Sequence, residues 1–110
     1  MRTVRDADAV FHALADASRR ALLDSLHAHN GQTLRELCST VDMTRQAVSK
    51  HLAILADAGL VIAIRRGREK HHYLNPAPIA DIAQRWISKY ERRLVDALAD
   101  LRRQLEEEEQ

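Results

Sequence analysis

Five side chains between Thr44 and Lys50 have the types and spacing to hold a polyanion and read it. On a helix, Thr44, Arg45, Gln46, Ser49 and Lys50 occupy the first two turns, opposite Val48, Leu52 and Leu55. Gln46 can meet an adenine edge with both ends of its amide, and Arg45 can donate twice to guanine O6/N7 or hold a phosphate. Thr44, Ser49 and Lys50 suit phosphate oxygens, which fix register without reading sequence. A second basic group follows: Arg65, Arg66, Arg68 and Lys70 surround Gly67, opposed by Glu69 alone. Arginines on a projecting hairpin can enter a narrow minor groove or neutralise phosphates beside it. Taken singly, such residues are ordinary solvated surface. Their combination on one capped helix and one turn points to double-stranded DNA.

These side chains need a frame. Val10, Phe11 and Leu14 share one face of a short helix predicted over residues 7–15. Asp16 is a suitable N-cap for the next helix, which carries Ala21, Leu22 and Leu26 and is broken by Asn30-Gly31. Thr33 and Glu36 form a capping-box pattern that starts a third helix, and Thr33 joins the DNA-facing set. After a tight connection over residues 41–43, Thr44 caps the fourth helix, with Ala47 and Ile54 at the margins of its apolar face. Gly59 stands where a left-handed C-terminal cap is wanted. Two short helices so joined make a helix-turn-helix. Residues 60–64 and 71–74 then favour strand, and Arg66-Gly67-Arg68 supplies the turn of a wing.

Pro76 and Pro78 open the last helix, whose Ile79, Ile82, Trp86, Tyr90, Leu94, Leu98, Leu101 and Leu105 recur at steps of three or four. Such a stripe is longer than a small domain needs to cover its own core. Its economical partner is a second copy of the chain. The predicted interface comprises Val10, Phe11 and Leu14 with Ile82, Trp86, Tyr90, Leu94, Leu98 and Leu101, on segments at about residues 6–16 and 76–105.

With 110 residues there is room for one domain, and the scarcity of Gly, Pro and aromatics favours helices over a sandwich or barrel. The expected fold is mainly α with a β-hairpin wing. The net charge of +1 looks mild for a DNA binder, but Glu106, Glu107, Glu108 and Glu109 form an acidic tail that masks a basic remainder. Distribution matters more than the sum. No apolar run approaches the roughly 20 residues of a bilayer span, and the N-terminus lacks a signal-peptide core. A lone Cys38 cannot form an internal disulfide, so the expected compartment is the cytoplasm.

Several stretches carry a family likeness: Ala13-Leu-Ala-Asp-Ala-Ser-Arg-Arg-Ala-Leu-Leu23, Thr44-Arg-Gln-Ala-Val-Ser-Lys-His-Leu52, Ala58-Gly-Leu-Val61, Arg66-Gly-Arg68 and Tyr73-Leu-Asn-Pro76. Over roughly residues 8 to 100 the chain resembles the ArsR/SmtB family of bacterial winged-helix repressors. The resemblance implies an α-α-α-α-β-β-α order and a dimer built from the first and last helices. It also implies repression by binding an inverted repeat in a promoter, often the repressor's own. By resemblance, His51 is a structural or DNA-backbone residue. Ala17 stands where the family commonly has proline.

Many members of that family release DNA on binding metal. Their Cys-x-Cys pair is represented here by Cys38 alone, and their Asp-x-His pair by Asp81-Ile82-Ala83. A lone cysteine on a short helix is commonly a small buried apolar residue. His27 and His29 lie near a helix end, His71 and His72 alternate on a strand, and His12 is isolated. No metal or cofactor is therefore expected. A metal or thiol sensor using Cys38 and histidines, and a protein-docking module on the same scaffold, are the competing readings. Trp86 and Tyr90 would line an organic effector's pocket, though the apolar stripe assigns them to the dimer core. An enzyme is not indicated: there is no phosphate loop, nucleophile elbow or metal triad.

Overall fold

The computed structural model describes Val4 through Glu108, with side chains from Ala7 onward; Glu109 and Gln110, the end of the acidic tail, lie outside the described residues. Four helices come first: α1 (Val4–Leu14), α2 (Ala17–Ala28), α3 (Leu34–Thr40) and α4 (Arg45–Asp57). A hairpin of β1 (Val61–Arg66) and β2 (Glu69–Leu74) follows, then α5 (Ala77–Ile82), a π-helical turn (Ala83–Ile87) and α6 (Ser88–Glu108). The chain divides into two compact units, one reaching Ile79 and the other starting at Ala80.

Side-chain caps set the helix starts in the first unit. Asp16 accepts from the Arg19 backbone N–H at 3.0 Å, and Thr44 Oγ1 accepts from Ala47 N–H at 3.1 Å. Thr33 and Glu36 complete the capping box in both directions, so two otherwise unpaired backbone donors are satisfied. The helices bury one stripe each. Leu22, Leu26, Leu37, Val48, Leu55 and Leu60 are fully buried, each stabilising the fold by roughly 1.5–3 kcal/mol relative to exposure. Ala21, assigned to that face from periodicity, is exposed instead.

Both strands run closer to the turn than the β-favouring runs suggested. Arg66 pairs with Glu69, which leaves only Gly67 and Arg68 in the loop. Gly67 has φ +65° and no other residue near the tip has positive φ, the pattern of a type II′ hairpin turn. The loop before α3 also joins the sheet: Gln32 forms an antiparallel bridge with His72, whose N–H donates to Gln32 O at 2.7 Å. Gly31 (φ +84°) makes this approach possible, since a Cβ there would lie 3.1 Å from the Tyr73 ring.

The second unit is helical throughout its described residues, with the π turn interrupting what periodicity reads as one α-helix. Ile82, Trp86, Tyr90, Leu94 and Leu98 are spaced by four residues each. In a pure α-helix every such step rotates the stripe by about 40°. A wider π turn absorbs roughly one residue and turns the stripe back by about 100°, which offsets part of that drift.

Candidate nucleic-acid interface

The Thr44 cap fixes where α4 begins, and the burial of Val48, Leu52 and Leu55 fixes which way it faces. Thr44, Arg45, Gln46, Ser49 and Lys50 are consequently all exposed. Across from them stands the wing. Between α4, the start of α3 and the inner face of the hairpin runs a groove of about 570 Å³, lined by Arg35, Arg45, Ser49, Arg68 and Lys70 among others. Glu69 is the one acid in that lining. Four cations from three elements thus converge on a concave surface of a size that side chains and backbone oxygens of a polyanion can occupy.

Strand alternation divides the wing's basic residues. Arg65 and Lys70 face each other in the register and share a side with Val61, Ala63 and His72. Arg66 lies on the opposite side, its guanidinium 5.9 Å from the centre of the Tyr73 ring. Arg68 sits in the turn itself. Arg66 therefore lies beside an aromatic ring on the face away from the groove, and Arg68 and Lys70 are the wing's cations in the groove lining.

Thr33 lines the same groove, with its hydroxyl engaged in the α3 cap. It is buried, its hydroxyl donates to Glu36 Oε1 at 3.1 Å and accepts from the Glu36 N–H at 3.2 Å. Both functions of the hydroxyl are engaged, so Thr33 positions α3 and leaves no free donor for DNA. His51 is on the flank of α4 nearest α2, where its Nδ1 meets Arg19 Nη1 at 3.4 Å. Arg35 was missed; its only sequence signal is a position two residues after a capping Thr, on the exposed side of α3.

Two carboxylates have lowered pKa values. The Glu36 carboxylate is held below the usual range by the Thr33 backbone N–H, then by the Thr33 hydroxyl. Asp16 is lowered first by the backbone N–H of Arg19 and further by the nearby Arg19 and His51 side chains. Both are capping groups, which places their effect in helix positioning.

The histidines are individually engaged. His71 and His72 pair through Nδ1 with successive carbonyls, Gly31 O and Gln32 O, each at 2.9 Å. Strand alternation led to the expectation that they point apart; the adjoining loop gives each a partner. Among the described residues no group of three or more His, Cys, Asp or Glu could hold a metal ion. Cys38 is half-buried.

Of the expected dimer residues, Val10 and Ile82 are buried within the single chain and leave no surface for a partner. Leu14 and Trp86 are half-buried, while Phe11 is half exposed. Tyr90, Leu94, Leu98 and Leu101 are at least half exposed, along with Leu105, Ile87 and Val95, which were outside the expected set.

A capped helix with an outward polar face, a preceding short helix and a basic two-stranded wing define a winged helix-turn-helix. The chain belongs to the ArsR/SmtB family of transcriptional regulators. A helix-turn-helix domain model matches residues 14–62. YuzN of Bacillus subtilis (strain 168), an uncharacterized HTH-type transcriptional regulator, is 41% identical over 86 residues, covering 73% of this chain and 94% of YuzN. The arsenical resistance operon repressor of Escherichia coli (strain K12) is 30% identical over 67 residues, 61% of this chain and 57% of the repressor. Among solved structures, an ArsR-like transcriptional regulator from Rhodococcus sp. RHA1 superposes with a TM-score of 0.70 at 30% identity, over 84% of this chain and 90% of that one. The family and fold are those of DNA-binding regulators, not enzymes. No helix among the described residues is long and apolar enough to cross a membrane.

Proposed function

We propose that this chain is a cytoplasmic transcriptional repressor that binds an inverted-repeat operator as a homodimer, its own promoter being the first candidate. The observation that carries the DNA reading is the groove in which Arg45 and Ser49 of α4 face Arg68 and Lys70 of the wing. Gln46 and Arg45 lie at the N-terminal end of α4, the end that enters a major groove in helix-turn-helix proteins. Ser49 and Lys50 contact phosphates beside it. Lys70 and Arg68 neutralise the backbone where the wing meets the adjoining groove.

The dimer reading rests on α6. A 21-residue helix with Tyr90, Leu94, Leu98, Leu101 and Leu105 on its surface leaves more apolar area in water than a monomer of this size ordinarily exposes. Twofold pairing of two copies covers it and presents two recognition helices to one operator. Repression is supported by the name of the Escherichia coli relative. Control by metal is not part of the proposal, because the family's paired ligands are replaced by a single Cys38 and by Asp81-Ile82-Ala83.

The test is a binding titration on the DNA upstream of the chain's own reading frame, at several salt concentrations, with and without added divalent metals. Affinity should fall steeply with salt, because neutralised phosphates release counterions, and should be indifferent to metal. Absence of binding there, with binding to a fragment selected from random duplexes, would remove self-regulation. Absence of binding to any duplex at low salt would remove the DNA reading.

A further inference from the structure

Arg19 is a buried cation that the DNA-binding surface does not use. It is only 8% exposed. Its Nε donates to Ala13 O at 2.8 Å and its Nη2 to His12 O at 2.9 Å, both carbonyls in the last turn of α1. Arg20 Nη1 donates to Leu14 O at 2.7 Å beside it. His12 O also accepts from the Ala15 N–H at 3.2 Å, while Ala13 O and Leu14 O are of the kind that a helix end leaves without an intrahelical partner. The remaining arm of Arg19, Nη1, reaches 3.4 Å to Nδ1 of His51 on α4.

The chemistry of that last contact is one-sided. A guanidinium has donors and no acceptor, so Nδ1 of His51 must accept, and the ring proton must sit on Nε2. Arg19 thereby joins three helices. It grips the end of α1, belongs to α2, and orients a residue in the middle of α4. A lysine could not do this, since a single ammonium cannot span acceptors arranged around a planar fork.

We propose that Arg19 is a positioning residue for DNA binding, tying the end of α1 to the recognition helix through His51. His51 then acts by holding α4 in place, and the phosphate-contact role is not its function. The inference rests on the reading above that α4 meets DNA, and on the sequence expectation that α1 joins the dimer contact through Phe11 and Leu14, which keep exposed surface. On that reading, any strain at α1 from pairing two copies is transmitted to the angle at which α4 is presented.

The experiment combines three readouts on the full chain. Side-chain nitrogen NMR reports the His51 tautomer: the wild type should hold the proton on Nε2, and Arg19→Lys should give a mixture of tautomers. A duplex enriched by the wild type from a random library then serves as the binding probe for Arg19→Lys, His51→Ala and the double variant. Each single change should weaken binding by roughly tenfold, with the double change no worse than either. The salt slope should stay unchanged, because no phosphate contact is lost. His51→Gln should recover most of the affinity, its amide oxygen accepting from Arg19. Sedimentation of each variant should show the wild-type dimer.

A proton on Nδ1, additive losses in the double variant, or a salt slope that drops by about one in His51→Ala would each overturn the positioning role while leaving DNA binding intact. If the wild type enriches no duplex, the proposed function fails and takes the role of Arg19 with it.

Discussion

At the residue scale, the proposed function assigns base reading and charge neutralisation to different exposed side chains. Gln46 is exposed on the first turn of α4 and is the only amide there. Gln46→Ala should cost about 1–3 kcal/mol against the preferred operator and relax sequence preference at one position. Competition between operator variants measures this, and a uniform loss across all sequences would contradict it. Arg68, in the wing turn, has the opposite character. Arg68→Ala should weaken all duplexes alike and lower the salt slope by about one. A titration series from low to moderate salt decides it, and an unchanged slope would remove Arg68 from the interface.

At the scale of elements, side-chain caps fix where the helices packed around α4 begin. Glu36 and Asp16 both have lowered pKa values because backbone N–H groups stabilise their charged forms. A carboxylate with a lowered folded pKa contributes stability that is fully present above its unfolded value. That contribution is lost as pH falls from near 4.5 and 3.8, the ordinary values for Glu and Asp, through the lower folded values. Replacing Glu36 with Gln and Asp16 with Asn keeps the capping geometry without the charge. The pair of substitutions should flatten the fall in melting temperature between pH 5 and about pH 3. Thermal melts across that range test it; an unaltered acid limb would mean the caps are not what acid breaks.

The wing belongs to the same scale. At Gly67 a Cβ would meet nothing within 4 Å, so only backbone strain at φ +65° opposes a larger residue. Gly67→Ala should therefore destabilise the hairpin by about 1–2 kcal/mol and weaken DNA binding without unfolding the helices. Circular dichroism alongside the binding titration separates the two effects.

At the scale of the whole molecule, the proposed dimer places the exposed stripe of α6 between the two copies. Leu98 is 56% exposed in the single chain, so a charge there leaves the monomer's core untouched. Leu98→Glu should convert the dimer to a folded monomer, because two desolvated carboxylates would meet across the interface. Operator affinity should fall with it, since a monomer contacts one half-site. Sedimentation velocity gives the oligomeric state, and a persistent dimer would move the interface away from this stripe.

The amino-acid sequence by itself determined the element order, the three caps, the exposed face of α4 and the turn glycine of the wing. Each follows from local chemistry: a hydroxyl or carboxylate beside free N–H groups, a 3.6-residue apolar period, a backbone conformation that favours glycine. What depends on contacts distant along the chain was decided only by the tertiary structure. Arg19 and Gln32 look like surface residues in the sequence, yet both are buried with their side chains donating to carbonyls at helix ends. The sequence does not show that the Thr33 hydroxyl bonds to the Glu36 carboxylate or that Arg66 lies beside the Tyr73 ring. Arg35 joins the groove because helix packing brings α3 beside the wing. Val10 leaves the expected interface because periodicity marks an apolar face without saying whether the chain or its partner covers it. The capped helix α4 and its exposed polar face were thus legible from its own residues, and the company it keeps was not.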